Sequence, residues 1–216
     1  ADFGAAQDEI GIAVTAALKS SGAKNVVNIS SCGAHTEVMT GVVAGLTRQE
    51  ARLNALDGVN VLHLRPTYFM ENTMGSIGMI EGMGLAGSAI AVDKPMPLIA
   101  VKDIAQVASE SMMHFTTSGK VVLPLLGPKN YTMAEFTSVL GAAIGKPELP
   151  YVQFPSADTV GALMGMGMSH STAQSFVTLM EGINAGVFDH ETRDADSSTP
   201  TTAEEFATMF AQVFQA

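Results

Sequence analysis

Apolar residues in this chain follow two rhythms in turn. Ile10, Ala13, Val14, Ala17 and Leu18 recur at helical spacing and predict an amphipathic helix over about residues 5–19, stopped by Ser20-Ser21-Gly22. Val26, Val27 and Ile29 then form a short strand that ends at Ser30-Ser31. Thr47 is placed to cap a helix through Leu56, and Asp57-Gly58 marks a turn. Val59, Val61, Leu62 and Leu64 read as a strand buried on both faces, stopped by Arg65-Pro66. Helix, strand, helix, strand in this order predicts a parallel sheet built from right-handed crossovers. Thr67, Tyr68 and Phe69 would then stand at the carboxyl end of a parallel strand, where open α/β sheets place their ligands.

Beyond Asn72 the rhythm loosens. Residues 73–87 are rich in glycine and methionine, and short strands are predicted over Ala89–Val92 and Pro97–Val101. Ile104, Val107, Ala108 and Met112 share a helix face, and Lys120–Leu126 reads as a further buried strand broken by Gly127-Pro128. Thr132 to Glu135 is a capping box for a helix to about Ile144. Tyr151–Phe154 reads as an edge strand, and Ser156–Ala185 as two helices divided near Gly167. Asp189–Thr202 is a polar, acidic surface loop. Thr202 caps a last helix with Phe206, Met209, Phe210, Val213 and Phe214 on one face. With no internal repeat and no flexible linker, the fold class is α/β: one unit, a parallel sheet with a smaller, mostly helical lobe.

Composition narrows the partners. Of 216 residues, 47% are hydrophobic, which excludes wholesale disorder, yet no apolar run reaches the about 20 residues of a membrane helix. The first residues lack the basic and apolar regions of a secretory signal, and no methionine opens the chain, so it is read as beginning inside a longer reading frame. A net charge of −10 repels nucleic-acid phosphate and anionic lipid, so neither is an expected partner. A lone cysteine, Cys32, rules out an internal disulfide and fits a reducing compartment, here the cytoplasm. Fourteen methionines and no tryptophan describe a core or pocket with soft walls.

Chemistry-bearing residues are sparse. Gly82 to Gly87 matches G-x-G-x-x-G, but a dinucleotide turn needs a strand before it and a helix after it, and here the order is reversed. The stretch reads as a loop. Ser30 and Ser31 offer hydroxyls at a strand end; the plainer reading is that they satisfy its last backbone groups. Five scattered histidines contain no metal-binding spacing, and no metal is expected. His63 reads as a satisfied strand histidine, while His35, in a loop after the first strand, is the better of weak acid–base candidates beside Tyr68. Arg65 at its strand end pairs with a phosphate or with a neighbouring carboxylate.

Taken together, VVNISSCGAH, RQEARLNALDGVNVLHLRPTYFMEN and PLIAVKDIAQVASE resemble the NmrA-like family of atypical short-chain dehydrogenases. The string Arg65, Pro66, Phe69, Glu71, Asn72 is the most specific mark. The resemblance implies a Rossmann-like sheet, of which this chain holds the C-terminal half, with residues 1–72 and 97–126 in the Rossmann portion and 73–96 and 127–216 in the substrate lobe. It implies NADP or NAD as cofactor, with Ser30, Ser31, Pro66, Thr67 and Phe69 at the nicotinamide end. Tyr68, Phe69, Met74 and Met164 would face an apolar acceptor. Two departures stand out. The family's first four strands, with the glycine-rich phosphate turn, have no counterpart here, so the chain reads as N-terminally truncated, with an open sheet edge prone to self-association. The short-chain dehydrogenase Tyr-x-x-x-Lys pair is also absent, since no lysine lies between Lys24 and Lys94 and no tyrosine precedes Tyr68. The expected function is hydride transfer to a flat apolar acceptor, quinone- or azo-like. The alternatives are a non-catalytic NAD(P) sensor acting through a protein partner and a cofactor-free, self-associating domain.

Overall fold

The computed structural model describes residues 2–215. Helix α1 (Phe3–Ser21) opens on Asp2, whose carboxylate accepts from the Ala5 N–H at 3.1 Å, and ends at Gly22 in the left-handed region. It leads into β1 (Asn25–Ile29), α2 (Ala44–Asn54) and β2 (Asn60–Pro66). Next come β3 (Tyr68–Phe69), α3 (Ile77–Met83), β4 (Ala86–Ser88) and β5 (Met96–Ile99). After α4 (Val101–Met113) comes β6 (Lys120–Leu125), then β7 (Asn130–Tyr131), α5 (Met133–Ala143) and β8 (Tyr151–Gln153). Helices α6 (Ser156–Gly165), α7 (His170–Asn184) and α8 (Ala203–Phe214) complete the chain.

The α/β class with a parallel sheet is what the chain adopts. Strands run in the order β1-β2-β6, all parallel, with Val27 opposite Leu62 and Leu62 opposite Val121. Leu62 and Leu64 of β2 pack with Ile99, Ile104 and Leu125, and Val61 on the opposite face packs with Leu53 and Leu56, so the central strand is buried on both faces. Strand β6 differs from its expectation as a buried strand: Lys120, Val121 and Val122 are exposed, because they stand at the sheet edge. Two further small sheets form, β3-β5-β7 and β4-β8, and a second core gathers Phe136, Phe206, Phe210 and Met70. The Phe136 and Phe206 rings lie stacked, with centroids 5.9 Å apart. The expected capping box forms at Thr132–Glu135, and Thr202 caps its helix as expected, with Glu205 completing a second box.

Other expectations shift. Thr47 lies inside α2, where its hydroxyl donates to the Thr36 carbonyl, and a 3-10 turn over Gly41–Val43 opens the helix instead. The strand expected at Ala89–Val92 is β4, three residues earlier, because pairing with β8 sets its position. The G-x-G-x-x-G letters therefore span the end of α3, a left-handed Gly84 cap and β4: helix before strand, as the sequence order indicated, although less of it is loop. The acidic stretch after Asp189 is not wholly at the surface. Ser197, Thr199 and Thr201 are buried, Leu126 and Ser198 form a parallel bridge, and Asp103 accepts from both the N–H and hydroxyl of Thr201.

Candidate functional site

Parallel pairing brings the carboxyl ends of β1 and β2 to one edge of the sheet. The Ser30 N–H donates to the Leu64 carbonyl at 2.7 Å, and the Thr67 N–H to the Leu125 carbonyl at 3.1 Å, so both exits are held by the sheet ladder. Between them opens a cavity of about 280 Å³. Its near wall is Ser30, Ser31 and Cys32 after β1, and Pro66, Thr67, Tyr68 and Phe69 after β2. Met96 and Pro97 of β5 contribute, and the far wall comes from Val43 and Leu46 near α2, Phe176 and Leu179 of α7, and Phe188. The six sequence candidates at the strand ends are thus assembled around one apolar space.

A buried ion pair fixes the near wall. Arg65 donates through Nε and Nη2 to the two oxygens of Glu50, at 2.9 and 2.6 Å, and the Ser30 hydroxyl donates to the same carboxylate at 2.5 Å. The Glu50 side chain is only 6% exposed, so this bidentate arrangement is largely withdrawn from water. It resolves Arg65 as a carboxylate partner. Glu50 escaped the sequence reading; the available signal was a carboxylate three residues before Leu53, on the inward face of α2. Ser30 therefore has its hydrogen engaged, whereas Ser31 accepts from the Gly33 N–H and keeps its hydrogen for the cavity. Beneath, the Nδ1 and Nε2 atoms of His63 sit 3.0 Å from the Asn28 and Asn54 amides, and burial holds the imidazole below its usual 6.5.

Neither acidic hydrogen on the wall is easily released. Burial pushes the Cys32 thiol up to about 12, and it donates to the Arg65 carbonyl at 2.9 Å. Burial likewise raises the Tyr68 phenol, helped by neighbouring Tyr151, while the Asn72 side chain opposes the shift. His35 stands outside the cavity wall. It is exposed, with its ring centroid 3.8 Å from that of His190. Met74 packs into the lobe core and Met164 is 44% exposed on α6, so neither lines this space; Met96 is the methionine that does. Their helical turns point them elsewhere, which composition alone does not reveal.

The cavity is closed on one side by a segment that no local pattern marked. The Phe188 ring fits over Gly33, where a Cβ would meet a ring carbon at 2.3 Å, so only glycine admits it. Asp189 follows, ion-paired with Lys94. A second, polar cavity of about 390 Å³ adjoins the first across Pro97, Phe188 and Asp189. Among the described residues no group of metal-ligating side chains occurs, and no helix is long and apolar enough to cross a membrane.

No family model matches the chain. Agroclavine dehydrogenase of Claviceps fusiformis is 29% identical over 163 residues, which cover 72% of this chain and 55% of that protein. Festuclavine dehydrogenase of Aspergillus fumigatus is 24% identical over 163 residues, covering 73% and 56%. This chain thus spans about half the length of the curated relatives it matches. Among solved structures, the NADPH complex of an Escherichia coli NADPH-dependent quinone oxidoreductase superposes with a TM-score of 0.76 at 22% identity, over 91% of this chain and 69% of that one. The NADP(H) complex of Citrobacter triphenylmethane reductase superposes with a TM-score of 0.75 at 15% identity, over 92% and 69%. At such identities the likeness is one of fold: the Rossmann-like α/β architecture is shared.

Proposed function

We propose that this chain carries the acceptor side of an NAD(P)H-dependent oxidoreductase that reduces a flat, apolar molecule, with quinones and azo compounds as the nearest chemical examples. The observation that carries this reading is the apolar cavity at the carboxyl ends of β1 and β2, walled by Ser30, Ser31, Pro66, Thr67, Tyr68 and Phe69. The names of the similar proteins support it, since they are dehydrogenases and reductases and two of the solved structures hold NADPH or NADP(H).

The wall fits one end of such a cofactor. Ser31 offers a hydrogen to a carboxamide, Pro66 and Thr67 offer a flat, small-residue surface to a ribose, and Phe69 and Phe188 exclude water on the ring faces. A bound reduced nicotinamide would supply the hydride. The residues present do not fit the diphosphate. The charged group on the wall is Asp189, a carboxylate, and G-x-G-x-x-G falls at a helix end rather than after a strand. We therefore infer that further strands, added along the outer edge of β1, complete the sheet and bring the phosphate site. Residues 1–72 and 97–126 then form the Rossmann portion, with the rest as a substrate lobe, and the open edge is the surface through which this chain self-associates when alone.

A second reading is a non-catalytic NAD(P) sensor, favoured by the high-lying Cys32 and Tyr68 protons, which leave the wall without a ready proton donor. Calorimetric titration of NADPH and of menadione into the 216-residue chain, and into a version extended upstream, tests both. The reductase reading expects menadione to bind either protein, NADPH to bind the extended one, and NADPH oxidation to accelerate when both are present. NADPH binding without any acceptor-dependent oxidation across a quinone and azo panel favours the sensor. Tight NADPH binding by the short chain would overturn the placement of the phosphate site.

A further inference from the structure

The polar cavity beyond Phe188 takes no part in the chemistry proposed above, and one of its charges has no counterpart. Arg193 lines it and uses two of its five N–H groups on neutral partners. Its Nε donates to the Gly127 carbonyl at 2.8 Å and its Nη2 to the Asn130 amide oxygen at 2.6 Å. The chain has four arginines. Arg48, Arg52 and Arg65 each meet a carboxylate, whereas among the described residues Arg193 forms no ion pair. With 21 acidic side chains against 11 basic ones, an arginine without an acid is the exception. The acids beside it are engaged elsewhere. Asp189 pairs with Lys94, Glu191 lies 2.9 Å from the His190 ring, and Asp194 accepts from the Asp196 and Ser197 N–H groups and the Ser197 hydroxyl.

A guanidinium held by neutral groups keeps its full charge, and three N–H groups remain for a ligand. A planar carboxylate is the anion they suit, because two parallel N–H···O bonds match its two oxygens. Pro95, Pro97, Leu126 and the Phe188 ring supply an apolar side to the same space, so the carboxylate belongs on an apolar body. At about 390 Å³ the cavity has the size of a small-molecule site, large enough for a single substituted ring. The net charge of −10 opposes every anion, so only contacts at short range can select one.

We propose that this second cavity is a binding site for a small aryl carboxylate, held by Arg193 and packed against Phe188. The inference stands apart from the reading of the first cavity as an acceptor site. Its test is calorimetric titration of the 216-residue chain with benzoate, with benzamide as the neutral analogue of the same shape, and with acetate as the head group alone. Benzoate should bind about tenfold tighter than either. Asn130→Asp places a carboxylate where the amide oxygen already accepts from Arg193. It should therefore preserve the fold, checked by the thermal midpoint, and bring benzoate down to the level of benzamide. Arg193→Lys keeps the charge without the fork and should weaken benzoate by about threefold or more. Equal affinity for benzoate and benzamide overturns the proposal. So does an Asn130→Asp protein that still prefers benzoate, because Asn130 borders this cavity and not the first. Acetate binding as tightly as benzoate would overturn the apolar body, and no binding of any of the three would overturn the site itself.

Discussion

Helices α1 and α8 carry similar apolar stripes and use them in opposite ways. In α8, Phe206 and Phe210 are wholly covered by α5, and Phe210 stacks on toward Phe214, while Met209 and Val213, on the same expected face, are exposed. In α1 the stripe looks outward: Ile10 is 64% exposed and Val14 46%. The buried position is Gly11, and the contact with α2 is ionic at Asp8, which pairs with Arg48 at 2.8 Å and with Arg52, while Leu18 at the other end of the stripe packs against Leu53 and Leu56. Those two guanidiniums hold the Asp8 carboxyl down to about 2. Helical periodicity reports that a helix has an apolar side; it does not report what covers it.

Mutations separate the two cases by size. Phe210→Ala should remove about 3–5 kcal/mol of stability in urea unfolding, because the cavity left in a dry core is not refilled. An undiminished midpoint would mean that the α5–α8 seam is not the centre of the lobe. Glu50→Ala should cost about 3 kcal/mol, since it strands the Arg65 guanidinium in a buried position, and should also weaken ligand binding by loosening Ser30. Thr202→Ala removes one half of a capping box and should cost about 1 kcal/mol, read as a shift in thermal midpoint. Ile10→Ser at the outward stripe of α1 should change stability by no more than about 0.5 kcal/mol in the isolated chain. A loss comparable to that of Phe210→Ala would show that the stripe is already covered.

One comparison uses pH. The folded state holds His63 below its ordinary 6.5, so it favours the neutral ring, and the sign follows: stability is full above about 6.5 and declines as pH falls through that value. His63→Gln should flatten the decline between neutral and mildly acid pH in chemical unfolding. A slope that persists unchanged would assign it to other groups.

Much of this arrangement is legible without coordinates because it is local. The Asp57-Gly58 turn, the apolar run of β2, the capping box at Thr132, the cap at Thr202 and the division of residues 156–185 near Gly167 each rest on residues close in sequence. The strand-end candidates Ser30, Ser31, Pro66, Thr67, Tyr68 and Phe69 are legible for the same reason: parallel strands send their carboxyl ends to one edge. What tertiary structure decided lies across long separations. Glu50 meets Arg65 from a neighbouring helix, Phe188 meets Gly33 across more than half the chain, and Asp189 meets Lys94 from another part of the lobe. No period or spacing encodes such pairs, because each depends on where whole helices and strands are placed. The same holds for His35, Met74 and Met164, whose residue types suited a site and whose elements carried them away from it. Local backbone chemistry writes the elements into the sequence; the choice of which faces meet is made only when the elements pack.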